Sequence, residues 1–131
     1  MSVNIVNVAT INGITTGYTP TGTTAVVLLP NNTSTNVFKI DQIVVSNLTS
    51  SAATATVQYY SNGAVAQGSA PSGGSVVTTL AYQISVPANA SLIVSDKTTA
   101  FYLVDGNSIT VTSGTGSALS YMTSYELIST T

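Results

Sequence analysis

The chain has 131 residues, enough for one domain built on one hydrophobic core. Its charged side chains are Lys39, Lys97, Asp41, Asp96, Asp105 and Glu126, for a net charge of −2, whereas an ordinary soluble domain is about one-quarter charged. Without Cys, His or Arg, the chain excludes a disulfide framework, thiol or imidazole catalysis, a nitrogen- or sulfur-rich zinc centre and a basic footprint for nucleic acid.

Met1 to Thr23 alternates weakly and is punctuated by Gly13, Gly17, Pro20 and Gly22. It reads as an extended arm with an edge strand near Val3 to Val8. Met1 to Ala9 holds no basic residue and no continuous apolar run, so no secretory signal is expected there. Ala25 to Leu29 is the longest clear aliphatic run, far too short to span a bilayer, and no membrane partner is expected.

From Thr24 onward, period-two alternation and β-branched residues recur between turn signals. Thr24 to Leu29 is stopped by Pro30-Asn31-Asn32, and Val37 to Ser46 ends at Asn47. Ala53 to Tyr60 sets Ala53, Ala55, Val57 and Tyr59 against Thr54, Thr56, Gln58 and Tyr60, and breaks at Ser61-Asn62-Gly63. Gln67 to Gly74 is a Gly/Ser/Pro stretch, read as a flexible loop. Val76 to Val86 is the clearest strand, with Val76, Thr78, Leu80, Tyr82, Ile84 and Val86 on one face. Ser91 to Ser95, Phe101 to Val104, Ser108 to Thr112 and Ala118 to Ile128 complete the set, with turns at Pro87-Ala88-Asn89, Asp105-Gly106-Asn107 and Gly114 to Gly116. About eight closely spaced strands imply an all-β antiparallel sandwich over residues 24–131, jelly-roll or immunoglobulin-like, preceded by the 1–23 arm.

No catalytic, cofactor-binding or metal residue is assigned. The four carboxylates are far apart in sequence and read as solvated turn or edge charges, although two could meet in space. Asp96-Lys97 and Asp105-Gly106-Asn107 lack the spaced acidic loop of a calcium motif, and turn chemistry accounts for both. Gly68, Gly73 and Gly74 lack the strand-to-helix setting of a phosphate cradle. Asn31, Asn32, Asn47 and Asn89 each open an Asn-x-Ser/Thr match, which a chain this rich in Ser and Thr produces by chance.

Ser and Thr supply roughly three residues in ten, so hydroxyls, amides and backbone must cover the surface. Such side chains lose little entropy when another protein covers them, and interface centres are poor in Lys, Glu and Asp. Contacts with other subunits are therefore expected, made by Val3, Ile5, Val8, Tyr59, Tyr60, Tyr82, Tyr121 and Tyr125.

Beyond this reading, Ile84 to Lys97 brings a strand ending in Val86-Pro87-Ala88 and another ending in Asp96-Lys97. Phe101 to Thr112 runs through Leu103 into the turn at Asp105-Gly106-Asn107, and Ser124-Tyr125-Glu126 lies in the closing strand. With Phe38 to Asn47 as the opening strand, this pattern resembles small virion structural proteins of tailed phages, notably cyanophages, over roughly Val37 to Ile128. Asp105-Gly106-Asn107-Ser108 departs from the more usual Gly-Asp-Ser order. The resemblance implies an icosahedral head or tail component, a virion subunit assembled in the host cytoplasm. A capsid decoration or cement protein is the leading reading, from the compact sandwich, the low-charge surface and an arm able to lie along a neighbour. A neck, tail or fibre-associated subunit is the alternative, and a carbohydrate-binding β-sandwich a further one. The implied partners are the major capsid protein or other virion subunits and further copies of the chain, a trimer being one arrangement.

Overall fold

The computed structural model describes residues 5–131. It contains nine strands: β1 Thr10–Tyr18, β2 Val26–Pro30, β3 Asn36–Asn47, β4 Ala53–Ser61, β5 Ser75–Val86, β6 Ser91–Ser95, β7 Phe101–Leu103, β8 Ser108–Ser113 and β9 Leu119–Ser129. They form two antiparallel sheets. Sheet A runs β1-β9-β3-β6, with β7 following β6 along the same edge of β3, and sheet B runs β2-β8-β4-β5.

Counting β6 and β7 as one edge strand, each position in sheet A has its chain neighbour at the matching position in sheet B. The pairs are β1 with β2, β9 with β8, β3 with β4, and β6 with β5. That winding is a jelly roll, and it settles the topology that alternation alone leaves open.

The core lies between the sheets. Phe38, Ile40, Ile43, Val45, Leu103 and Tyr121 of sheet A meet Leu28, Ala55, Val57, Val86, Ile109 and Val111 of sheet B there. Strands from Val26 to Ser129 fall within two residues of the sequence-based boundaries because their apolar side chains recur at period two. Phe38 and Tyr125 stack at 4.8 Å in a tilted pair. Two buried asparagines fasten loops around this core. Asn31 donates to the carbonyls of Asn36 (3.0 Å) and Leu103 (2.9 Å). Asn47 donates to Ser51 O (2.8 Å) and Val86 O (3.0 Å), while its Oδ1 accepts from the Thr49 N–H at 2.9 Å.

Three expectations need correction. First, no edge strand forms over the described part of Val3 to Val8: Ile5–Asn7 is a 3-10 turn, and the strand lies at Thr10–Tyr18. It is no free arm over that range, since it pairs with β9 from Thr10↔Ser129 to Tyr18↔Tyr121 without a register break. Its alternation is hard to see because, of the inward positions, only Ile14 and Tyr18 pack on the core. Gly13 and Gly17 lie on the other face, where a glycine does not interrupt the core.

Second, β5 does not present one inward face from Val76 to Val86. From Ala55↔Ile84 to Tyr60↔Val76, β5 takes eight steps against five in β4, through three register shifts. Each extra residue flips the alternation. Leu80 and Ala81 are consequently both half-buried, whereas Tyr82 and Gln83 are both exposed. Gln83 takes a positive φ of 47°, and its N–H donates to Thr56 Oγ1 at 3.0 Å.

Third, the 62–74 connection is tied down. Val27 N–H donates to Ser69 O (2.9 Å), Gly68 N–H donates to Val27 O (2.8 Å), and Gln67 Nε2 reaches Leu28 O at 2.8 Å. It therefore caps the outer edge of β2. Gly68, at φ 87°, lies against the Tyr18 ring where a Cβ would collide.

Candidate functional site

Five of the six charged residues, Lys39, Asp41, Asp96, Lys97 and Glu126, gather on one side of the molecule. Asp41 is the extra residue of a bulge in β3, between Ile40↔Tyr125 and Gln42↔Ser124, which turns its carboxyl toward Glu126 on β9. A hydrogen bond with the Asp41 carboxyl, then desolvation and the Asp41 charge, hold Glu126 above the usual carboxylate range, while Lys39 and Lys97 oppose the rise. Lys39 Nζ lies 4.0 Å from Glu126. Asp96 caps the 3-10 turn Lys97–Thr99 and is held below its ordinary value by the Thr98 hydroxyl and backbone N–H.

A shallow depression of about 550 Å³ joins these groups, lined by Asp41, Gln42, Asp96, Lys97, Thr98 and Ser124. Two carboxyls in mutual hydrogen-bond contact stand closer than the roughly 5–9.5 Å that glycoside hydrolysis requires. Among the described residues no three potential ligands converge on a metal position. Chemically, the cluster is an open patch of mixed charge, three carboxyls against two lysines.

The remaining surface is nearly ion-free. No strand of sheet B contains a charged residue. On its β5 side lies a groove of about 370 Å³ lined by Tyr59, Val77, Leu80, Phe101 and Tyr102, with the hydroxyls of Thr78 and Thr99. Tyr59 is fixed there: its hydroxyl donates to Tyr102 O at 3.2 Å and accepts from Asn107 Nδ2 at 3.1 Å. Its ring meets Phe101 edge-on at 6.0 Å.

The eight residues expected at an interface divide sharply. Tyr82 is 67% exposed on β5, Tyr59 lines the groove, and half-buried Tyr60 donates to Gly74 O at 2.9 Å. Val8 is half-buried. Val3 and the Ile5 side chain lie outside what is described. Tyr121 and Tyr125 are corrections, since both point inward from β9 and are buried. Tyr121 bonds Ser113 Oγ at 3.1 Å and Thr112 O at 3.2 Å, and burial pushes its phenol pKa up.

Sequence reasoning missed the exposed apolar row across sheet A. Cross-strand pairing sets Gly17 beside Met122, Met122 beside Val44, and Val44 beside Ile93. Ile93 and Met122 are exposed. The next row, toward the bulge, is Thr15, Ser124 and Gln42, and beyond it come Gly13, Glu126, Lys39 and Tyr102. The signal was available in alternation: each of these residues occupies the phase opposite to its strand's core positions.

No protein-family model matches the chain, and no curated protein does. Among solved structures, the fold is similar to one described as "Bacillus endospore appendages form a novel family of disulfide-linked pili", with a TM-score of 0.54 and 17% identity. The match covers 92% of this chain and 86% of that one. Identity this low shows a shared fold alone. The present sequence has no cysteine with which to form such links.

Proposed function

We propose that this chain is a structural virion subunit of a tailed phage, a capsid decoration or cement protein that stabilises the head shell by protein contacts. The observation carrying the structural role is the ion-free sheet B with its apolar groove. The phage setting comes from the sequence pattern between Val37 and Ile128. Covering Thr, Ser and Val loses little side-chain entropy and strips no ions of water, so a neighbouring subunit can bind broadly at low desolvation cost. Tyr59 is already held by two hydrogen bonds and a ring contact, so it needs little further ordering on association.

The test is addition of the purified chain to phage heads that lack it. The decoration reading predicts co-sedimentation with the heads, on the order of hundreds of copies per particle, and greater resistance to heat rupture. A neck, tail or fibre-associated subunit is the second reading, and it predicts about a dozen copies or fewer. Absence of the chain from purified particles would overturn both.

A further inference from the structure

Each sheet of the sandwich ends in two strand edges, and three of these four edges are blunted. β2 is capped by residues 67–69. β5 is bent by three register shifts, and the third edge is split between the short β6 and β7 by a 3-10 turn. Short strands, bulges and covering loops are how sheets avoid unwanted pairing.

β1 is neither bulged nor short, and the 67–69 loop meets it through side chains, Gln67 Nε2 donating to Thr16 Oγ1 at 3.0 Å and Gly68 lying against the Tyr18 ring, without a backbone bond to its edge. Its nine residues, Thr10–Tyr18, carry no charge and no proline, and they run beside β9 without a break. Among the described residues, no backbone hydrogen bond joins Thr10–Tyr18 to anything but β9. A flat edge with unpaired N–H and C=O groups is a template for another strand.

We infer that this edge pairs with β1 of a second copy, antiparallel about a two-fold axis midway between the two Ile14 residues, making one continuous sheet from the two sheets A. The choice of a second copy rests on self-complementarity. Pairing centred on Ile14 sets Ile11 opposite the second copy's Gly17, and Gly13 opposite its Thr15. Ile11 is 58% exposed on the outer face. Gly17 offers no side chain there, and the β9 residue beside it, Met122, is 38% exposed. The Ile11 knob of each copy therefore enters the Gly17–Met122 notch of the other, twice over by symmetry. Gly17 is held to its size from below, because a Cβ there would stand 3.2 Å from Tyr121 O. Registers shifted by two residues lose this fit and shorten the overlap. With no charge on β1, the axis brings no like charges into direct opposition.

Sedimentation velocity of the full chain, from roughly 1 to 100 µM, tests this directly and does not depend on which particle the protein serves. The expected result is a monomer–dimer equilibrium whose Kd rises at least about tenfold in Ile11→Lys, with an unchanged melting profile. Because the chain has no cysteine of its own, Gly13→Cys and Thr15→Cys variants give a second reading. Oxidised as a mixture, they should cross-link in preference to either variant alone. A monomer across the whole range, or a dimer indifferent to Ile11→Lys, would overturn the inference. So would a mixture that cross-links no better than its components. Dissociation by Val77→Lys in place of Ile11→Lys would reassign the contact to the β5 edge.

Discussion

β1 and β5 are both outermost, both uncharged and both long, yet they finish their sheets in opposite ways. β1 follows its neighbour residue for residue, whereas β5 slips three times against β4. The strand with the stronger alternation in the sequence is the one whose alternation fails in space, and the strand whose pattern is faint has the unbroken register. Periodicity reports how many apolar side chains want a core. It says little about an edge, where only one neighbour disciplines the pairing and extra residues are tolerated.

The contrast can be broken most severely by removing β1. Deleting residues 1–18 should cost about 3 kcal/mol or more, because Ile14 and Tyr18 leave the core and β9 loses its partner. An unchanged urea midpoint would show that β1 is an arm after all. At the end of β5, Asn47→Ala should cost about 2–4 kcal/mol in chemical denaturation, since it strands the buried Val86 carbonyl and frees the 48–51 turn. On β9, Thr123 is fully buried, and among the described residues its hydroxyl has no partner. Thr123→Val should therefore raise stability by about 1 kcal/mol in the same assay. On the exposed face of β5, Tyr82→Ala should leave the melting temperature of the isolated chain within about 1–2 °C while weakening the co-sedimentation with phage heads that the proposed decoration role entails.

The smallest effect is electrostatic and sits across from Gly13. Glu126 has a raised pKa in the folded chain, so the native state holds that proton more tightly than the unfolded chain. Its contribution is present below the unfolded-state pKa and is lost as pH rises through the folded value. Asp96, held low, acts in the opposite sense: its contribution is present at neutral pH and is lost as pH falls through its folded value. Glu126→Gln should raise the melting temperature at pH 7 by about 1 °C, because it removes repulsion from Asp41 at an exposed site, and the gain should vanish on acidification. Melting curves between pH 3 and pH 7 check both signs.

Much of this architecture was legible in the sequence. Ala53, Ala55 and Val57, or Leu103 and Ile109, carry their burial in their phase, and Pro30, Asn47 and Gly106 mark real strand ends. Topology was not legible, because which sheet receives a strand depends on pairings far apart along the chain. Tyrosine identity did not separate Tyr121, buried with its hydroxyl bonded, from Tyr82, which stands in solvent. Asn31 and Asn47 looked like chance glycosylation matches, yet their buried amides fasten loops, which only the converging carbonyls reveal. The charged cluster was likewise hidden, because Asp41, Asp96 and Glu126 meet only through the bulge in β3 and the turn after β6.

Cryo-electron microscopy of a phage particle carrying the protein would show which sheet meets a neighbour. The proposed role predicts sheet B, with Tyr59 and Tyr82, pressed against a neighbouring subunit, while Lys39, Asp41 and Glu126 on sheet A face water. A map with sheet B open to solvent and the charged cluster buried at the contact would contradict it.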